Sequence, residues 1–158
     1  WVADVTRCDV VPRREVPTPW APRDPDEPQV MYWLGPLERR ELPIVNRHGE
    51  RLSSHRWSSV LALGRARELR ELLLETEPEW RLYETLRAHR ADVELEPGPA
   101  RLVDSEDPAG RTWLVVDGRR ARHDGGARFV LDGPDRPPGT THDLAAACGY
   151  LLGPDLRP

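Results

Sequence analysis

The stretch WLVVDGRRARHDGGARFVLDG, residues 113–133, decides the fold class of this sequence. Three Asp-Gly dipeptides divide it at regular intervals: Asp117-Gly118, Asp124-Gly125 and Asp132-Gly133. Asp-Gly between apolar runs is a strong short-range signal for a tight β-hairpin turn. Residues 113–116 and 127–131 are short apolar runs with β-branched and aromatic side chains, as expected of strands. The stretch therefore predicts an antiparallel β-meander.

Two helical patterns precede the meander. Ser53 or Ser54 offers an N-cap for a first helix over about residues 57–75, in which apolar residues recur three and four positions apart. Thr76 followed by Glu79 is the pattern of a capping box, in which both side chains accept bonds from backbone donors of the first turn. We therefore expect a central helical pair whose second member begins at Thr76.

A third helical pattern lies near the end of the chain, over residues 144–152, with Thr140 or Thr141 as its expected cap. The helical pair precedes the main strands rather than alternating with them, which argues against a doubly wound parallel sheet. We expect a single α+β domain over residues 37–158, with a central helical pair, an antiparallel β-meander and a C-terminal helix.

A proline-rich arm precedes this domain and is expected to span residues 1–36. Seven prolines fall between residues 12 and 36, and each fixes φ and removes a backbone donor, so neither a helix nor a central strand is expected there. Trp20 and Trp33 are large apolar anchors that a disordered linker would seldom carry. We expect the arm to be ordered by docking of residues 30–34 rather than by regular structure. Docking on its own domain is the favoured interpretation, and docking on a partner protein or on a second copy stays open.

Composition limits the function classes. The 158 residues include 23 basic residues, all of them arginine, and 27 acidic residues, for a net charge of -4. A net negative charge argues against a protein held mainly by phosphate contacts along a nucleic-acid duplex. No run approaches the roughly 18 apolar residues that a membrane helix needs, so no membrane partner is expected.

Cys8 and Cys148 lie near opposite ends of the sequence. There is no CxxC pair, no HExxH motif and no Cys/His ligand spacing, so no metal site is predicted. The favoured interpretation is two reduced thiols in a cytoplasmic protein, and a single disulfide between them stays open.

The segment LPIVNRHGERLSSHRW, residues 42–57, carries the candidate site. A short apolar run ends there, and polar residues follow where the next helix is expected to begin. A helix N-terminus offers unpaired N–H groups and a partial positive charge to anions, and hydroxyl and guanidinium donors add charge-assisted bonds. The sequence therefore predicts an anion site at Ser53, Ser54 and Arg56.

Residues 42–64 resemble the core of the ParB/sulfiredoxin-like fold. In that family a short strand ends in a hairpin, a Gly-His-Arg or Gly-Glu-Arg-Arg stretch begins a helix, and the helix ends in Leu-Gly, here Leu63-Gly64. The family has a strand soon after Leu-Gly, where this sequence predicts a continued helix. The resemblance implies that nucleotide phosphates bind at the helix start, which corresponds to Ser53, Ser54, His55 and Arg56. It places Asn46 and Arg47 at the end of the entering strand, as further residues of the same site.

These observations favour a binding module for a nucleotide or a phosphorylated small molecule, with no cofactor assigned. Two hypotheses from other classes stay open, so the sequence does not decide whether the chain is an enzyme. One is a small enzyme of a specialised bacterial pathway, with a pocket near His123 and His142. The other is a winged-helix-like module that binds DNA or a peptide through its hairpin. The hairpin arginines are Arg119, Arg120 and Arg122.

Overall fold

The computed structural model describes residues 1–21, 23–49, 58–98, 112–133 and 140–154. The chain divides into two compact units, Trp1–Pro43 and Ile44–Pro158. The predicted site residues Ser53, Ser54, His55 and Arg56 lie outside the described residues.

The described part of the first unit contains a two-stranded antiparallel sheet. Strand β1, Val5–Pro12, pairs with β2, Pro28–Leu34. We had expected residues 12–36 to lack regular structure, and β2 corrects that expectation. Pro12 and Pro28 pair at the ends of the two strands. Proline has no N–H to donate to a neighbouring strand, but each strand of a two-stranded sheet has one unpaired edge, so proline is tolerated there.

The second unit contains helices and a larger sheet, so the predicted α+β class is confirmed. Its described residues form three α-helices: α1, Val60–Arg65, α2, Glu77–Ala88, and α3, Leu144–Leu152. A 3₁₀ helix, Leu69–Leu73, lies between the first two. Five described strands form the sheet: β3, Glu94–Pro97, β4, Thr112–Val116, β5, Arg119–His123, β6, Phe129–Asp132, and β7, Thr141–His142.

The predicted meander is confirmed by the strand order, which runs β3-β4-β5-β6-β7 with every neighbouring pair antiparallel. Asp117 and Gly118 join β4 to β5 with φ values of +47° and +76°. Two consecutive positive φ angles are what a type I′ turn requires, and Asp-Gly adopts them readily. The expected last strand was 127–131, and the structure adds β7 beyond it.

One face of the sheet packs against helices to form the core. Leu114 of β4, Ala121 of β5 and Leu131 of β6 are paired across the strands and almost wholly buried. Leu82 of α2 and Leu151 of α3 belong to the same buried cluster. The alternation of buried and half-buried residues along β5 and β6 is the pattern expected of a sheet with one face on the core.

The first helix of the predicted pair is shorter than expected. Ser59, rather than Ser53 or Ser54, is the N-cap of α1, because its Oγ accepts a bond from the backbone N–H of Ala62 at 3.0 Å. The helix ends at Arg65, and the chain is extended at Glu68 before the 3₁₀ helix begins. Long-range pairing of Glu68 with Val45 favours the extended conformation over a continued helix.

The capping box of α2 is confirmed, and its carboxylate does more than cap the helix. Glu79 is fully buried, and its Oε2 accepts bonds from the N–H groups of Glu75 and Thr76 and from Thr76 Oγ1, each at 2.9 Å. The N–H of Thr112 in β4 donates to Oε1 at 3.4 Å. Glu79 therefore joins the start of α2 to the sheet. For α3 the cap is Asp143, not Thr140 or Thr141.

Replacing Glu79 by alanine leaves several buried donors without an acceptor. We expect Glu79→Ala to lower the free energy of unfolding by about 3 kcal/mol, since unsatisfied buried groups cost about 1–3 kcal/mol each. Glu84→Ala, at an exposed position of the same helix, should change it by less than about 0.5 kcal/mol. Urea denaturation of both variants measures the difference, and equal losses would contradict the assigned role.

Candidate functional site

The candidate site is built on the turn that follows Val45. The N–H of Val45 donates to the carbonyl of Arg67 at 2.9 Å, and the N–H of Leu69 donates to the carbonyl of Val45 at 2.9 Å. These two bonds make a parallel bridge between Val45 and Glu68. The chain then turns through residues 46–49, where Gly49 has a φ of +63°. The cationic turn, as we call residues 46–49, is therefore anchored where the bridge ends.

Two arginines and a histidine lie around the buried carboxylate of Glu68. Arg70 Nε donates to Glu68 Oε2 at 3.1 Å, and His48 Nε2 lies 3.3 Å from the same oxygen. Arg47 Nη1 lies 3.5 Å from Glu68 Oε1. Two guanidinium groups and an imidazole thus share one carboxylate. The two guanidinium groups carry two positive charges, against the single negative charge of Glu68.

The environment of Glu68 shifts its ionisation. Burial raises the pKa of this carboxyl, but the charge of Arg70, the bond to His48 and the charge of Arg47 lower it by more. The net pKa is below the ordinary value. Glu68 is therefore ionised at neutral pH and acts as a fixed anchor for the cationic side chains.

The buried carboxylate of Glu71 fixes the backbone that carries Glu68. Glu71 Oε2 accepts bonds from the N–H groups of Arg67 at 2.6 Å and Glu68 at 3.0 Å. Its other oxygen accepts a bond from the hydroxyl of Tyr83 at 2.9 Å, and Arg87 Nη1 donates to that hydroxyl at 3.0 Å. Burial, followed by the charge of Glu71, raises the pKa of Tyr83. The backbone at Glu68 is thereby tied to α2.

The cluster has the chemistry of an oxyanion site. Arg47 keeps 70% of its side chain exposed and His48 keeps 49%. Arginine carries five N–H donors in a planar fork that matches a phosphate or carboxylate. Among the described residues there is no group of three or more His, Cys, Asp or Glu side chains placed to hold a metal ion. The exposed guanidinium of Arg47 has N–H donors that an anion could accept.

Sequence reasoning named two residues of the cationic turn and missed Glu68, the carboxylate beside them. Asn46 and Arg47 were predicted, and they lie at the start of the cationic turn. Glu68, Arg70 and Glu71 were assigned to a helix instead. The spacing of Glu68 and Glu71 matches a capping pattern, and this is the signal that could have located the break in the helix.

The arginines of the alternative nucleic-acid site do not form one patch. Arg120 and Arg122 both stack near the Trp113 ring, with guanidinium carbons 5.2 and 5.3 Å from its centroid. Arg120 also makes ion pairs with Glu96 and Asp132. The side chain of Arg119 lies elsewhere, beside Gly153, the residue that follows α3. A Cβ built on Gly153 would come within 2.7 Å of Arg119 Nη1.

The two histidines of the enzyme hypothesis lie on β5 and β7, the strands on either side of β6. His123 and His142 both pair with Phe129 of β6. His123 is buried, with Nε2 3.0 Å from the carbonyl of Gly126 and Nδ1 3.3 Å from Thr76 Oγ1. Both ring nitrogens of His123 therefore already have protein partners.

Comparison with protein-family models, with curated proteins and with solved structures finds no match for this chain. Within the described part of the chain, none of the helices has the length and apolar character needed to cross a bilayer.

The low pKa of Glu68 gives a signed prediction. A carboxyl whose folded pKa is depressed stabilises the fold above its ordinary pKa, here 4.5, and the contribution is lost as pH falls through the folded value. We expect Glu68→Gln to lower the free energy of unfolding by about 2 kcal/mol at neutral pH. Denaturation curves should show the gap from wild type closing in acid. An equal gap at neutral and strongly acidic pH would contradict the role of the charge, and Glu84→Gln is the control.

Proposed function

We propose that this chain is a binding module that recognises a nucleotide or another phosphorylated small molecule at the cationic turn. The observation that carries the proposal is the Glu68 cluster, in which Arg47 and His48 are held by a buried carboxylate yet stay largely exposed. A guanidinium oriented in this way loses little conformational freedom when it binds a phosphate.

The path of the chain gives the proposal further support. Val45 and Glu68 pair in parallel, and the chain between them contains the cationic turn and α1. A strand, a helix and a second extended segment follow one another in the ParB/sulfiredoxin-like fold that residues 42–64 resemble. In that family the phosphates bind at the helix start, and the resemblance assigns this role in the present sequence to Ser53, Ser54, His55 and Arg56.

The proposal does not use the N-terminus of α1. That helix has six residues, and the Oγ of Ser59 already accepts a bond from its first turn. Arginine and histidine side chains of the cationic turn are the groups assigned to the phosphate instead. Arg56, named in the sequence analysis, is proposed to bind the phosphate together with Arg47.

A thermal-shift panel of nucleoside mono-, di- and triphosphates and inorganic phosphate tests the proposal on the full chain. Ligand at about 100 times Kd adds about 2.7 kcal/mol to the free energy of unfolding, which raises Tm by about 5–10 °C in a protein of this size. We expect such a shift for at least one phosphorylated compound, and its loss in Arg47→Ala and in Arg56→Ala.

Arg81→Ala is the matched control. Arg81 has 66% of its side chain exposed and lies 3.4 Å from a carboxylate of Glu77, much as Arg47 lies beside Glu68. This variant should keep the full shift. No shift with any compound at millimolar concentration would contradict the proposal. A salt-dependent shift with duplex DNA that is lost in Arg122→Ala would favour the winged-helix-like alternative instead.

A further inference from the structure

The two-stranded sheet of the first unit has one wholly apolar face. Paired residues of an antiparallel sheet point to the same side, and successive residues alternate between sides. The register places eight residues on one side: Val5, Cys8, Val10 and Pro12 of β1, and Pro28, Val30, Tyr32 and Leu34 of β2. We call this set the apolar ribbon face.

The apolar ribbon face is exposed. The exposed fractions are 71% for Val10, 54% for Val30, 51% for Tyr32 and 57% for Leu34. No described residue of the first unit is buried. A two-stranded sheet with an uncovered apolar face is only marginally stable in water, so this ribbon requires a covering surface.

The opposite face is mixed: it carries Val11, Gln29, Met31 and Trp33 beside Arg7 and Asp9, whose two charges are paired. Trp33 Nε1 donates to Asp9 Oδ2 at 2.7 Å, and Arg7 Nε donates to Asp9 Oδ1 at 2.9 Å. The pKa of Asp9 is lowered. The largest cause is the hydrogen bond from Arg7, followed by the bond from Trp33, and the charge of Arg7 adds to them. The apolar ribbon face carries no charged side chain, so the surface that covers it must also be uncharged.

We propose that the apolar ribbon face packs against the same face of a second copy of this chain. A two-fold contact between identical patches is the commonest way in which soluble proteins associate, and an uncharged patch meets no repulsion from its own copy. Six or so half-exposed side chains present on the order of 500 Å² per copy, or about 1,000 Å² in the pair, which is the lower limit of a specific interface. The dimer is therefore a weak one, in the micromolar range, and does not depend on the phosphate site.

Sedimentation of the full chain over a range of concentrations tests this proposal. We expect a monomer–dimer equilibrium in wild type and a monomer in Val30→Lys, which places a charge in the middle of the apolar ribbon face. Gln29→Lys is the matched control, because it adds the same charge at the next residue of β2 on the opposite face. It should dimerise like wild type.

The cysteines give a second readout that does not need a variant. Cys8 lies on the apolar ribbon face and is exposed, whereas Cys148 lies in the second unit and is half-buried. Alkylation of Cys8 should slow as protein concentration rises through the dimer Kd, while that of Cys148 stays constant. A protein that is monomeric at several hundred micromolar would overturn the proposal. A dimer unaffected by Val30→Lys, or weakened equally by Gln29→Lys, would also overturn it.

Discussion

The candidate site depends on the hydrogen bonds that the carboxylate of Glu71 accepts. One of its oxygens accepts the N–H groups of Arg67 and Glu68, and the other accepts the hydroxyl of Tyr83 in α2. With these bonds the segment before the 3₁₀ helix stays extended and free to pair with Val45. The cationic turn begins directly after that pair. A buried charge is costly unless it is fully hydrogen-bonded, and here the bonds also set the backbone path.

The second unit uses the same device twice. Glu71 caps the start of the 3₁₀ helix, and Glu79 caps the start of α2 three residues after Thr76. Each carboxylate accepts two local backbone N–H groups and one bond from a distant element, which is the hydroxyl of Tyr83 for Glu71 and the N–H of Thr112 for Glu79. Glu79 accepts the hydroxyl of Thr76 in addition. The same two side chains therefore cap a helix and join it to a distant element. In this way the backbone at Glu68, and with it the neighbouring cationic side chains, is fixed by few residues.

The sequence predicted what is local. Asp117-Gly118 and the alternation along β5 and β6 specify the meander because a turn and its flanking strands lie within a few residues. The capping box at Thr76 was predicted for the same reason. The break in the first helix and the strand β2 were missed because both depend on partners far along the chain. His48 and Glu68, for example, are 20 residues apart, and no spacing rule links them.

In the proposed function, Arg47, held by Glu68, contacts the phosphate of a bound ligand. Its guanidinium Nε–H signal can be followed by NMR in the full chain while the compound that raises Tm in the thermal-shift panel is titrated. We expect a saturable shift of the Arg47 signal, with the Nε–H of Arg81 unchanged and the Arg47 shift reduced in Glu68→Gln. Saturable binding that leaves the Arg47 signal in place, or shifts all exposed arginines alike, would contradict it.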